Sequence, residues 1–239
     1  MQDHVILIVG GSGGIGLACA ELLSRSGAKI ILAARNTEKA EAMAATINGN
    51  GGNAYVIPVD VTDLASVTNM VQSIHSEFGR IDVLINAFGQ GMIKPLLDIQ
   101  PRDAEEVIDV NVYGTFLVTQ TVMRLMETAK QGTIVMFPGI LGKAVMKNSA
   151  LYSATKYAIT GFTKALIEEN RRNNIKFALF YLGGVDTPFW DSSNIDMKVQ
   201  RDKMLTASEV AKAVYYAVSQ PSGSVLSEIV LQPDSHVMV

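Results

Sequence analysis

A single cysteine in 239 residues excludes an internal disulfide framework and fits a reducing compartment. Cys19 falls in a helical pattern with Ala18, Ala20 and Leu22, the setting of a packed thiol rather than a nucleophile. Histidine is scarce as well: His4, His75 and His236 stand far apart without the spacing of metal ligands, so no metal is expected. No apolar run reaches the roughly 18 residues that a membrane-spanning helix requires. Nor does the chain open with a basic segment, an apolar stretch and a small-residue cleavage site. Neither sign of charge dominates: 20 Lys and Arg against 23 Asp and Glu leave a net charge of −3, mixed along the sequence. That leaves out a nucleic-acid footprint and a polybasic membrane patch. A small-molecule ligand and a cytoplasmic location are expected. Pro- or Ser-rich linkers, composition shifts and internal repeats are also missing, so one domain over residues 1–239 is expected.

What the chain does have is 48% apolar residues, enough for a substantial core. Short apolar, β-branched runs predict strands at residues 5–9, 29–33, 54–59, 83–86, 133–137, 176–182 and 228–231. Amphipathic stretches predict helices at 14–26, 37–48, 64–78, 102–128, 150–173 and 207–219. A strand as apolar as Ile6, Leu7, Ile8, Val9 is covered on both faces, which points to a parallel sheet. Right-handed crossovers then give a doubly wound α/β fold of about seven strands, with helices on both faces. Residues 49–52, rich in glycine, read as a helix cap and loop. Over residues 188–203 the periodicity fades around Phe189, Trp190 and Met197, as in a substrate lid or an irregular surface loop.

Two places carry chemistry. After the first strand come Gly10, Gly11, Ser12, Gly13, Gly14, Ile15 and Gly16, then a helix. Glycines let the backbone turn tightly and approach a pyrophosphate, and the helix N-terminus offers free amides, so a dinucleotide is the natural ligand. Arg35 and Asn36 follow the second strand, where a cation suits the 2′-phosphate of NADP better than the ribose hydroxyls of NAD. Further on, Tyr152 and Lys156 stand one helical turn apart on one face. A lysine cation beside a phenol favours the phenolate and is expected to lower the Tyr pKa, equipping the pair for acid/base work on a carbonyl.

The loop spacing, the Tyr/Lys pair and several segments between them resemble the short-chain dehydrogenase/reductase family over essentially the whole chain. The family's Thr-Gly-x-x-x-Gly-x-Gly signature is present with Val9 in place of the threonine. The resemblance implies a Rossmann-like fold and an NADP(H) cofactor. It implies adenine contacts from Asp60 and Val61, and cofactor contacts from Asn86, Ala87 and Gly89, the segment in which Phe88 departs from the family's Asn-Asn-Ala-Gly. It also implies that Val185 and Thr187 hold the nicotinamide carboxamide, with Gly184 beside them at the cofactor, that Lys156 bonds the nicotinamide ribose, and that Asn111 kinks its helix and organises a proton-relay water. Subunit packing through the helices at 102–128 and 150–173 would make a homodimer or homotetramer.

One family member is missing. The serine expected thirteen residues before Tyr152 is Gly139, preceded by Pro138, while Gly142 keeps the register. Loss of one hydrogen bond to a developing oxyanion costs about 2.7–4 kcal/mol of barrier. Ser149 or the Gly139 amide would supply another donor, or the substrate would bring its own polar group, or the protein would bind NADP as a non-catalytic or weakly catalytic sensor or scaffold. The expectation is an NADPH-dependent oxidoreductase acting on a carbonyl or alcohol, with Tyr152, Lys156 and Asn111 catalytic. Its pocket would be closed by Phe88, Met92, Met146, Leu182, Phe189 and Trp190, and Gly139→Ser would raise turnover.

Overall fold

In the computed structural model residues 1–235 and 238 are described, and His236 lies outside them. All five side chains of β1 (Val5–Val9) are buried, as burial on both faces of a strand demands. The other strands are β2 (Lys29–Ala34), β3 (Asn53–Pro58), β4 (Val83–Asn86), β5 (Gly132–Met136) and β6 (Ile175–Leu182), then the short β7 (Val185–Asp186) and β8 (Leu205–Thr206), and finally β9 (Glu228–Leu231). Seven of them form one parallel sheet in the order β3-β2-β1-β4-β5-β6-β9. β7 and β8 pair separately, Val185 opposite Leu205.

The helices are α1 (Gly14–Ser24), α2 (Glu38–Gly49), α3 (Leu64–Phe78), α4 (Pro101–Ile108), α5 (Thr115–Ala129), α6 (Ala150–Glu169) and α7 (Ala207–Val218). Strand alternation divides the core in two. Ile6, Ile8, Ile30 and Leu32 pack against Cys19 and Leu23 of α1, Ile47 of α2 and Val210 of α7. Val5, Leu7, Val9 and Ile31 pack on the other face against Met70 of α3, Val118 of α5 and Ile159 of α6. Among the described residues no helix is long and apolar enough to cross a membrane, and no group of His, Cys, Asp and Glu is arranged to hold a metal.

The helix predicted over 102–128 spans residues 101–129 and is interrupted at Asn111, where the family resemblance implies a kink. It runs as α4, a π-helical turn at Asp109–Gly114, and α5. The wide turn lies at Asn111, whose buried side chain bonds outward rather than along the helix. The strap between β7 and β8 is also more ordered than its faded periodicity suggests. It contains 3₁₀ turns at Pro188–Asp191 and Arg201–Lys203. Ile195 bridges to Ile93, and Arg201 pairs with Asp186 and Asp191.

Strand order reverses between β1 and β4, so the helices that follow these two strands lie on opposite faces of the sheet and leave a crevice at its carboxyl edge. Open α/β folds bind ligands at that crevice.

Candidate active site

At this edge lies a cleft of about 680 Å³, and the turn between β1 and α1 forms one wall. Gly10 adopts φ +88°, and a Cβ there would stand 2.6 Å from the Ala87 carbonyl oxygen. Only glycine lets this turn press against the segment after β4. A Cβ on Gly14 would likewise come within 2.6 Å of Thr187 Cγ2, so the turn also touches the segment after β6. No side chain caps α1. Ser12, Gly13, Gly14 and Ile15 line the cleft, and first-turn amides are offered there. A narrow backbone cradle with an uncapped helix N-terminus fits a pyrophosphate.

Across the cleft, α6 brings Tyr152 and Lys156 to the same wall. Lys156 is buried, with Nζ 5.4 Å from the centroid of the Tyr152 ring. Nζ donates to the Phe137 carbonyl at 3.0 Å. The expected lowering of the tyrosine is not what this geometry gives. Burial pushes the half-buried Tyr152 phenol up and brings the Lys156 ammonium down to about 8. Desolvation disfavours both charged forms and outweighs their mutual attraction at this spacing.

Gly139 sits beside them with φ +65° and ψ 175°, a conformation essentially reserved for glycine. Its amide donates to the Phe180 carbonyl at 3.2 Å, which removes it as a substitute donor. Ser149 is removed too: its hydroxyl is 1% exposed, donates to the Met146 carbonyl and lies 2.8 Å from Ser153 Oγ. Gly139 lines the cleft, but neither its amide nor the Ser149 hydroxyl is free to donate into it.

Asn111 uses its side chain to clamp the chain after β4. Its Oδ1 accepts from the Gln90 amide at 2.7 Å, while Nδ2 donates to the Gln90 carbonyl at 2.9 Å and to Thr155 Oγ1 at 3.2 Å. Ala87, Phe88 and Gly89 are thereby held on the cleft wall. Asn86 is held inside the sheet. Its buried amide donates to Thr119 Oγ1 and Met136 Sδ, bracing β4 against its neighbours instead of lining the cleft. Gly184, Val185 and Thr187 do line it, and the Trp190 indole donates to the Val185 carbonyl at 2.9 Å.

Gly10 and Gly16 shape the turn without lining the cavity, and a Cβ on Gly16 would collide with the Gly10 carbonyl. Arg35, Asn36, Asp60 and Val61 stand beyond it, past the ends of β2 and β3. Hydrogen bonds from the Thr62 hydroxyl and amide hold the Asp60 carboxyl below its ordinary range, and the Arg35 charge adds to them.

Of the apolar residues expected to close the pocket, Phe88, Met146, Leu182, Phe189 and Trp190 do so. Met92 is fully buried away from the cavity, and its neighbour Ile93 takes the wall position. Lys39 was missed. It lines the cleft from the first turn of α2, and its place four residues after Arg35 was the available signal.

The family profile described as short chain dehydrogenase matches residues 4–198. The chain belongs to the short-chain dehydrogenase family. It is 33% identical over 233 residues to an uncharacterised oxidoreductase of Staphylococcus aureus, with 98% of each chain covered. Levodione reductase superposes on this short-chain dehydrogenase with a TM-score of 0.90 at 26% identity, covering 98% of each chain. A metagenomic short-chain oxidoreductase in complex with NADP gives 0.85 at 26% identity, covering 97% of each.

Proposed function

We propose that this short-chain dehydrogenase is an NADPH-dependent oxidoreductase that interconverts a carbonyl and an alcohol, with Tyr152 as the proton donor. One observation carries the reading: Tyr152 and Lys156 share a cleft wall opposite the glycine turn, with Thr187 touching that turn. Bound NADPH supplies the hydride. The amides at Gly13, Gly14 and Ile15 would take its pyrophosphate, and Arg35, Asn36 and Lys39 its 2′-phosphate. Asp60 and Val61 would flank the adenine, while Gly184, Val185 and Thr187 would hold the carboxamide.

Burial keeps the Tyr152 phenol protonated, which is the form that can donate to an oxygen gaining negative charge. Lys156, steered by the Phe137 carbonyl, would stabilise the phenolate left behind and would bond the ribose. Asn111 fixes Gln90 and would anchor the relay that returns the proton. The NADP complex of the metagenomic relative and the reductase name of levodione reductase support the assignment. The same reading expects a cytoplasmic homodimer or homotetramer working on a small carbonyl or alcohol.

A second reading, an NADP-binding sensor or scaffold, draws on the cleft wall around Gly139, where no serine hydroxyl faces the carbonyl position. Oxidation of NADPH and NADH is to be followed over a panel of ketones, aldehydes and oxoacyl thioesters, alongside cofactor affinity. Turnover with NADPH is expected, and Tyr152→Phe should lower it by about 10² or more with NADPH affinity kept. Unchanged turnover in Tyr152→Phe would remove the acid role. Tight NADPH binding with no turnover anywhere in the panel would support the sensor.

A further inference from the structure

We infer that the substrate of this short-chain dehydrogenase carries its carbonyl on an apolar body ending in an anionic group, which Lys198 meets at the mouth of the cleft. The inference rests on the reductase reading, but its test also has a readout that needs no turnover. Outward from Tyr152 the wall is made by Ile93, Ile140, Leu141, Met146, Phe189 and Trp190. Phe189 leans on the Tyr152 ring with centroids 5.9 Å apart, and Trp190 meets Phe189 edge-on at 5.2 Å. A Cβ on Gly91 would come within 2.5 Å of the Phe189 ring, so the backbone there is pared back to seat it. Such a wall rewards a flat or aliphatic body and gives a second polar group near the carbonyl nothing to bond.

The mouth is different. Lys198 and Lys203 of the strap line it, and among the described residues no Asp or Glu lines the cavity. Neither lysine forms an ion pair among the described residues. The cation between them, Arg201, is turned away to Asp186 and Asp191, where it ties the strap down. In a chain of net charge −3, uncompensated cations gathered at one opening draw an anion to it.

Lys198 belongs to the part of the strap tied to the apolar wall. Ile195 pairs with Ile93, and the Asp196 amide donates to the Ile93 carbonyl at 2.8 Å, fixing this end of the strap on the apolar wall. Lys198 follows Ile195 by three residues, a reach of about 11 Å at most. The glycine turn and Lys39, where the cofactor phosphates belong, are carried by other elements, the β1–α1 turn and α2.

Trp190 is the only tryptophan in the chain and lines the cavity, so its fluorescence reports binding directly. Benzoylpropionate and its methyl ester share the ketone and the apolar body and differ at the far end, a carboxylate in one and a neutral ester in the other. With NADP⁺ present, the acid is expected to bind about three- to five-fold more tightly than the ester, as one partly exposed charge pair allows. The preference should fade in high salt. Lys198→Glu should abolish or reverse it, leave ester binding within about two-fold, and leave NADPH affinity unchanged. Equal binding of acid and ester to the unaltered protein would overturn the inference. So would a Lys198→Glu variant that lost NADPH affinity while keeping its preference for the acid. If the acid preference holds but neither ketone is reduced with NADPH, the anion site stands and the reductase reading is what fails.

Discussion

Gly139 looked like a simple deletion of a hydroxyl, and its backbone makes it something else. A Cβ there would meet nothing nearer than the Leu182 carbonyl oxygen at 3.7 Å, so space does not forbid a side chain. The obstacle is φ +65° with ψ 175°, a region that costs other residues about 1–3 kcal/mol. Gly139→Ala and Gly139→Ser should therefore lower unfolding free energy by that amount alike in denaturant titrations, and the serine should bring no gain in turnover. A rise in turnover for serine but not alanine would show that the turn yields and that the hydroxyl reaches the carbonyl. The identity and spacing of Tyr152, Lys156 and Gly139 were legible in the sequence, but this dihedral was not, and neither was the protonation of the pair. Lys156 titrates near 8 in the fold, below the 10.5 of a solvated lysine. Between those values the unfolded chain binds more protons, so the lysine's share of stability rises as pH rises through that window, at about 1.4 kcal/mol per unit. Buried Cys19, pushed up to about 12, and Tyr152 oppose it at higher pH. The clean measurement is the stability difference between the cofactor-free protein and Lys156→Met, which should shift in favour of the unaltered protein from pH 8 to 10.

The strands were readable as elements because their apolar runs are uninterrupted, and all seven strands of the sheet fall within a residue or two of expectation. The helix over 102–128 was readable in extent, but its break at Asn111 was legible only through the family resemblance, because apolar spacing continues through Asp109–Gly114 while the backbone inserts a π-turn. The cause is tertiary: Asn111 turns its amide to the Gln90 backbone instead of to solvent, a partner 21 residues away that no local pattern reveals. Asn111→Leu keeps the approximate shape and removes all three of its side-chain hydrogen bonds. Each group left buried without a partner costs about 1–3 kcal/mol. The variant is expected to unfold at clearly lower denaturant and to lose NADPH affinity, since Gly89 beside Gln90 lines the cleft. If Asn111 served only to hold a relay water, turnover would fall while stability and cofactor affinity stayed put.

At the scale of the molecule, the doubly wound architecture followed from alternating elements, and the position of the cleft followed from the reversal of strand order between β1 and β4. The strap was not readable, since its ties run to Ile93, Asp186 and Asp191 rather than along its own sequence. What the single chain leaves outside is a group of aromatics by the π-turn and α5. Tyr113 is 46% and Phe116 39% exposed. Their rings stack at 6.3 Å, and Phe116 also meets Phe162 of α6. Ile108, at the end of α4, is exposed as well. Water contact over such a patch is unfavourable by about 25 cal/mol for each Å² of apolar surface, and contiguous patches of this kind mark interaction sites on soluble proteins. The expected homodimer or homotetramer would cover it. Light scattering should find a species of two or four chains, and Phe116→Glu should shift it towards a single chain, with circular dichroism unchanged because the side chain lies at the surface. A single-chain species for the unaltered protein at micromolar concentration would sink the assembly, and an assembly that survives Phe116→Glu would place its interface on another face.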